Sequence, residues 1–383
     1  MKWMWFAILL AVATTATADT PRARDLGIPF EGTPGALNAI TDVAGVTVGQ
    51  TTLISTPDPK HEVRTGVTAI LPRGKESANV PVFGAWFALN GNGEMTGTTW
   101  LEEGGRLEGP VMLTNTHSVG VVHDAVIAWR VRLGPADPSG YWWSSPVVAE
   151  TWDGYLNDIN GFHVRPQDVD AALDSARGGP VAEGNVGAGT GTICHEFKCG
   201  IGTASRRVVI AKKPYLLGVL VQANYGVRDT LRIAGAPVGQ HLREHRMYLE
   251  GAPDQGDTGS IIIVVATDAP LLPNQIKRIA RRAAMGLARN GSYAGNGSGD
   301  IFVAFSTANA GAMSNDAINS TAFLGNELLD ALFLATVQAT EEAIINSMIA
   351  ARDMRGQDGH FVMAIPHDQL RTILKQYHRL NAP

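Results

Sequence analysis

Asp257-Thr258-Gly259-Ser260-Ile261-Ile262-Ile263-Val264-Val265-Ala266-Thr267 is the stretch on which the reading of this chain turns. The run from Ile261 is mostly β-branched and reads as a buried strand, with Gly259-Ser260 at its mouth. Glycine offers an unhindered carbonyl and a backbone that bends into strain, and Ser260 supplies an attacking oxygen beside it. A chain that cuts itself between the two would expose Ser260 with both a hydroxyl and a free α-amine. That amine, with an ordinary pKa of about 8, is a base tethered to its own nucleophile. The same dipeptide also reads as a plain turn before a core strand, so the surrounding sequence has to decide.

Downstream, Asn290-Gly291-Ser292-Tyr293-Ala294-Gly295-Asn296-Gly297-Ser298-Gly299-Asp300 precedes a second strand over 301–305. Its glycines let backbone approach closely, and Ser298 and Asp300, two apart at a strand mouth, point to one side. A hydroxyl and a carboxylate so placed would orient the Ser260 hydroxyl and hold its protonated amine. Upstream, Asn224 follows a strand over 216–221; its side-chain amide suits a developing oxyanion, a contact worth about 3 kcal/mol where it acts, or it merely caps the strand. Glu150, after the apolar residues Val147-Val148-Ala149, is either an anchor for a substrate ammonium or a solvated surface acid.

His241-Leu242-Arg243-Glu244-His245 matches the H-x-x-E-H order of a zinc peptidase, in which the two histidines would share a helix face and Glu244 would act as base. Glycine- and proline-rich stretches on both sides leave room for barely three turns, and no third ligand follows on a long helix. An exposed, charged helix is the expected reading. Gly187-Ala188-Gly189-Thr190-Gly191 has the wrong spacing for a dinucleotide fingerprint.

At 383 residues and 45% hydrophobic content the chain can bury a full core. No linker, repeat or low-complexity tract divides it, so a single α/β unit is expected. Short buried strands are read over 46–48, 66–71, 80–83, 111–113, 208–210, 216–221 and 301–305, and helices over about 273–289 and 326–350, with a short one after Pro366. Strands apolar on both faces, alternating with helices, imply sheets covered by helices. Net charge is −5 and no basic run is longer than pairs such as Lys212-Lys213 and Arg281-Arg282, which speaks against a nucleic-acid track. Lys2, the apolar run over 3–13 and Ala16-Thr17-Ala18 before Asp19 form the pattern of a secretory signal over 1–18, so the mature chain is expected to start near Asp19 in the periplasm or medium. That run is far shorter than the ~20 residues of a membrane span, so no membrane attachment is expected once it is removed. Export permits a disulfide between the two cysteines, Cys194 and Cys199, although so short a loop would add little stability. A zinc site using His195 lacks further ligands in that segment.

Together these segments resemble the N-terminal-nucleophile aminopeptidases of the L-aminopeptidase/D-esterase and β-aminopeptidase type, a family with a self-cleaving precursor. The resemblance is colinear over nearly the whole mature chain, through Gly35-Ala36-Leu37-Asn38-Ala39-Ile40-Thr41-Asp42-Val43, Asn115-Thr116-His117-Ser118-Val119-Gly120, Glu150-Thr151-Trp152-Asp153-Gly154-Tyr155-Leu156-Asn157-Asp158, Gly187-Ala188-Gly189-Thr190-Gly191-Thr192, Gly200-Ile201-Gly202-Thr203-Ala204-Ser205-Arg206 and Gly259-Ser260. It implies a four-layer α-β-β-α sandwich without metal or other cofactor, cut into an α-subunit, 19–259, and a β-subunit, 260–383, that form one structural domain. It also implies Ser260 as nucleophile of self-cleavage and hydrolysis, Asn224 as oxyanion donor, Glu150 as amine anchor, Ser298 with Asp300 as the orienting pair, and a homo-oligomer, a tetramer, of cleaved heterodimers. Two departures stand out. Trp152 occupies a place where some relatives carry a Tyr whose hydroxyl helps at the site, and Cys199 stands for a Gly, consistent with an added Cys194–Cys199 disulfide. The resulting expectation is an exported serine aminopeptidase acting on short peptides, amides or esters. The alternatives are an acyl transferase related to the ornithine acetyltransferases, a zinc peptidase using His241, Glu244 and His245, and an exported binding protein left uncut.

Overall fold

A computed structural model of the chain describes residues 20–58, 60–134, 143–247, 257, 259–312 and 318–381. The expected leader over 1–18, and Thr258 of the opening stretch, lie outside them. The first half runs through β1 (Thr47–Ser55), β2 (Val63–Leu71), β3 (Val82–Ala88), α1 (Thr98–Gly104), β4 (Arg106–Leu107), β5 (Val111–Asn115), α2 (Val119–Leu133), β6 (Val147–Thr151) and α3 (Pro166–Asp174). There follow the two-residue strands β7 (Ile193–Cys194) and β8 (Phe197–Lys198), then β9 (Ile201–Ile210), β10 (Lys213–Asn224) and α4 (Val238–His241). The last third holds β11 (Ser260–Thr267), α5 (Pro273–Arg289), β12 (Gly299–Ser306), α6 (Asp330–Ile349), β13 (Met354–Arg355), β14 (Phe361–Val362) and α7 (His367–Gln376).

Two large sheets form, ordered β1-β2-β5-β6 and β4-β3-β12-β11-β10-β9, beside the two-stranded pairs β7-β8 and β13-β14. Alternation along the strands assigns every second side chain to a different layer. In β11, Ile262, Val264 and Ala266 meet Val111, Leu113, Val147 and Ala149 of the other sheet. Ile261, Ile263 and Val265 instead meet Ile276, Ile279, Ala280 and Ala283 of α5 and Ala339 and Ala343 of α6. On the far side, Val67, Ala69, Met112 and Val148 pack against Val122, Val126 and Trp129 of α2 and Val169 and Leu173 of α3. The chain is thus a four-layer α-β-β-α sandwich. The all-apolar character of β11 follows from its burial between two layers, and a strand wet on one face would alternate.

The helices over 273–289 and 330–349 match their sequence signals, whereas α2 and α3 are not among the expected helices. In α2 the valines of Val119-Gly120-Val121-Val122 carry β-branched side chains that favour strands, and burial of one face against the sheet overrides that preference. A correction falls on 241–245. Helix α4 ends at His241 instead of continuing, because Arg228 Nη1 donates to the carbonyls of Leu242 (2.9 Å) and Glu244 (3.2 Å), drawing the chain away from a helical path. His245 adopts φ 52°, and His241 Nε2 instead meets Tyr377 Oη at 2.8 Å. His241 and His245 therefore do not share a helix face, and the zinc-peptidase geometry is not formed.

Candidate active site

Ser260 opens β11 at the centre of the six-stranded sheet, paired in register with Asn224 of antiparallel β10 and Gly299 of parallel β12. It is buried, at 5% exposure, and its side chain shares the inter-sheet face with Ile262. The bond before it is held closely. The Gly259 carbonyl accepts the Gly299 N–H at 3.1 Å. A Cβ on residue 259 would lie 2.1 Å from the Asn224 carbonyl oxygen, and one on residue 299 would lie 2.4 Å from that of Asn92. Only glycines let three backbones meet here.

Asn224 is fixed by the hairpin of β7 and β8. The turn residues His195 (φ 48°) and Glu196 (φ 62°) both sit in the left-handed region, as a two-residue hairpin requires, and Cys194 is bonded to Cys199 across it. From this hairpin Ile193 N–H donates to Asn224 Oδ1 at 2.9 Å and His195 N–H to the Tyr225 carbonyl at 2.7 Å. With Oδ1 engaged, the Nδ2 hydrogens of Asn224 are what it has to offer beside Ser260.

Glu150 sits near the end of β6, the edge strand of the other sheet. Its carboxylate accepts the Thr116 hydroxyl at one oxygen and the Glu94 N–H, at 2.9 Å, at the other. Burial raises its pKa, with Thr116 and the Glu94 amide acting against the rise. Gly93 lies between this carboxylate and the Ser260 strand mouth: a Cβ there would be 3.2 Å from Glu150 Oε1 and 3.4 Å from the Gly299 Cα. A buried acid with a raised pKa, one glycine away from the strand mouth, favours a cation arriving beside Ser260. Trp152, just beyond, is 47% exposed, with its indole lying where a Cβ on Gly154 would have to be.

Ser298 donates to Asp300 Oδ1 at 2.7 Å, and both are fully buried. Asp300 shares its face with Phe302 and Ala304, the helix side of the sheet, opposite to the Ser260 side chain. The Ile261 backbone amide, next to Ser260, acts on the Asp300 carboxyl by lowering its pKa in part. Burial pushes the Asp300 carboxyl up to about 6, and the negative charge of Asp257 adds to the rise, against the Ser298 hydrogen bond.

Four further polar groups are brought to this region only by the fold. Asp153, just after β6, and Lys198 of β8 are buried, and burial brings both to about 7, Asp153 from below and Lys198 from above. Lys198 Nζ donates to the Thr192 carbonyl at 2.8 Å and also to that of Cys199. Tyr225 and His195 pack edge to face, 5.0 Å apart, on the helix side below Ser260. Burial pushes the Tyr225 hydroxyl well up and the His195 ring down to about 4, leaving the imidazole neutral. These groups sit in strands or turns whose sequence carries no catalytic spacing, so only the fold assembles them.

A hydroxyl at the mouth of a central strand, an amide beside it and a buried acid across a glycine come together in this sandwich. The overall structure resembles that of the L-aminopeptidase D-Ala-esterase/amidase from Ochrobactrum anthropi, described as a prototype of the serine aminopeptidases and a variant of the Ntn hydrolase fold (TM-score 0.86, 51% identity, covering 94% of this chain and 99% of that one). It likewise resembles the β-aminopeptidase of a Burkholderia species (TM-score 0.85, 45% identity, 93% and 99% covered). The β-peptidyl aminopeptidase BapA of Sphingosinicella microcystinivorans is 53% identical over 400 residues, spanning 100% of both chains. The model of peptidase family S58 matches residues 38–362, and the chain belongs to that family. It is a hydrolase with aminopeptidase activity.

Proposed function

We propose that the chain is an exported, self-cleaving serine aminopeptidase with Ser260 as its N-terminal nucleophile. The observation that carries this is the register at Ser260, with Asn224 on one side, Gly299 on the other and the Gly259 carbonyl already hydrogen-bonded at 3.1 Å. In self-cleavage Ser260 Oγ adds to the Gly259 carbonyl carbon, and the Gly299 N–H stabilises the developing oxyanion. The C–N bond breaks, the proton from Oγ passes to the departing nitrogen, and an ester remains. Water hydrolyses the ester, giving a Gly259 carboxylate, the restored hydroxyl and a free amine on Ser260. The leader pattern over 1–18 supports export.

In turnover the Ser260 amine takes the Oγ proton as Oγ attacks the substrate carbonyl. Asn224 Nδ2 donates to the oxyanion, and the proton passes on to the leaving amine. Water then releases the acyl group. Glu150 holds the substrate ammonium, and Ser298 with Asp300 steadies the Ser260 amine from the helix side. Substrates are short peptides, amides or esters with a free amino terminus, β-amino residues among them, in keeping with the name of the 53% identical relative.

Removing the charge of Glu150 leaves a desolvated ammonium unpaired, so Glu150→Gln is expected to lower kcat/KM on free amino amides by about a hundredfold. The same variant is expected to be cut normally between Gly259 and Ser260, and N-acetylated amides to be poor substrates of the wild type. A wild type indifferent to acetylation, or a variant within a few-fold of it, refutes the role of Glu150.

A further inference from the structure

Asp257 lies three residues before Ser260 and is 4% exposed. Its Oδ1 accepts the Gly226 N–H at 2.9 Å, and its own N–H donates to Tyr293 Oη at 3.2 Å. Gly226, at φ 92°, presents a bare amide because a Cβ there would meet the His195 ring at 2.5 Å. Gly295 is equally constrained, since its Cβ would lie 2.5 Å from the Asp257 carbonyl oxygen. Two residues further on, the Gly259 carbonyl is held by the Gly299 amide at 3.1 Å. The segment entering β11 is therefore gripped on both sides of Thr258.

The grip is unusual in what it buries. Asp257 Oδ2 has no hydrogen-bond partner among the described residues, and neither do Asp300 Oδ2, Tyr225 Oη and His195 Nε2, all buried. A buried carboxylate with one oxygen unsatisfied is destabilising, and a turn with no task would not retain it. What the carboxylate gains is a charge-assisted hydrogen bond to the Gly226 amide, about twice as strong as a neutral one.

We propose that Asp257 is a positioning residue for self-cleavage: its grip on the Gly226 amide holds the Gly259 carbonyl against the Gly299 amide while Ser260 Oγ attacks. The inference rests on the reading that the chain is cut between Gly259 and Ser260. No proton passes through Asp257. After the cut the Gly259 carbonyl it positions is no longer bonded to Ser260, so its positioning role ends with the cut.

The test follows loss of the whole chain on denaturing gels for the wild type, Asp257→Asn and Asp257→Ala, together with kcat/KM of the material that has been cut. Asp257→Asn keeps a weaker acceptor and is expected to process about threefold more slowly. Asp257→Ala loses the acceptor and is expected to slow at least about tenfold, as misplacement of a reacting group does. Once cut, both are expected to lose far less in kcat/KM than they lost in processing rate, the charge of Asp257 beside Asp300 being the only part of its effect that survives the cut. Processing of Asp257→Ala at the wild-type rate, an Asn variant no faster than Ala, or a matching fall in kcat/KM of cut enzyme overturns the proposal. Should Asp257→Ala fail to fold, Asp257→Asn carries the test, because its side-chain oxygen still accepts the Gly226 N–H without the charge. Slower processing of Asp257→Asn supports the inference, and an unchanged rate overturns it. A wild-type chain that stays whole refutes the cut itself, a separate outcome.

Discussion

The two ends of β11 carry similar residues and treat them oppositely. At the far end Thr267 pairs with Ser306, as Ser260 pairs with Gly299 at the near end. Thr267 Oγ1 donates to the Leu216 carbonyl at 2.7 Å and accepts the Ala269 N–H at 3.1 Å. Ser306 Oγ donates to the Ala269 carbonyl at 2.6 Å and accepts the Ala308 N–H at 3.2 Å. Every hydroxyl there is used up in closing the backbone. At the Ser260 end, four buried polar atoms of Asp257, Asp300, Tyr225 and His195 have no partner among the described residues, and the Ser260 hydroxyl is engaged by none of them either. Satisfied hydroxyls mark the structural end of the strand, and buried polar atoms without a partner among the described residues the end kept for a reaction.

Exchanging hydroxyls for hydrogen sharpens that contrast most. Ser260→Ala is expected to leave a folded, uncut chain whose peptide hydrolysis falls at least about a thousandfold, since nothing replaces the nucleophile. Retained turnover breaks the contrast. Asn224→Ala comes next: if Asn224 is the proposed oxyanion donor, its loss is expected to lower kcat by about 100- to 1000-fold, with KM changed far less. Steady-state kinetics on an amino amide decide it, and a fall confined to KM would assign Asn224 to binding instead. Ser306→Ala is the mirror image. Leaving the Ala269 carbonyl and Ala308 amide short of a partner is expected to lower stability by about 1–3 kcal/mol in denaturant unfolding while cleavage and kcat/KM stay unchanged.

The smallest effect is one of pH. Burial holds the Asp300 carboxyl at about 6 against an ordinary 3.8, so folding favours its protonated form. That contribution is complete below about 3.8 and is lost as pH rises through about 6. In the uncut Ser260→Ala background, Asp300→Asn, which keeps an acceptor for Ser298, is therefore expected to raise Tm at pH 8. The gain should vanish below pH 4, and a Tm difference independent of pH would remove Asp300 from the strained set. Activity needing a destabilising group is a common trade.

Much of this was legible in advance, for a physical reason. The helices over 273–289 and 330–349 announce themselves because one face of each must be apolar, and strands β2, β10 and β12 because burial on both faces leaves only apolar runs. Ser260, Ser298 and Asp300 were visible because they break such runs at a strand mouth. Helix α2 was not, since its valines carry the strand preference that packing overrides. The facing of Asp300 was hidden as well: alternation could be counted, but which face met which layer depends on the pairing of β11 with β12. Tyr225, His195 and Asp257 converge from a strand end, a hairpin turn and a loop, and no spacing along the chain foretells that meeting. The His241–His245 spacing erred in the other direction, because the Arg228 side chain, distant in sequence, claims the carbonyls a helix needs.

Intact mass spectrometry of the purified wild-type protein, with N-terminal sequencing of each piece, tests the central claim most directly. Two associated pieces are expected, the second spanning residues 260–383 and beginning Ser-Ile-Ile-Ile. A single uncut chain that nonetheless hydrolyses amino amides would contradict Ser260 as an N-terminal nucleophile.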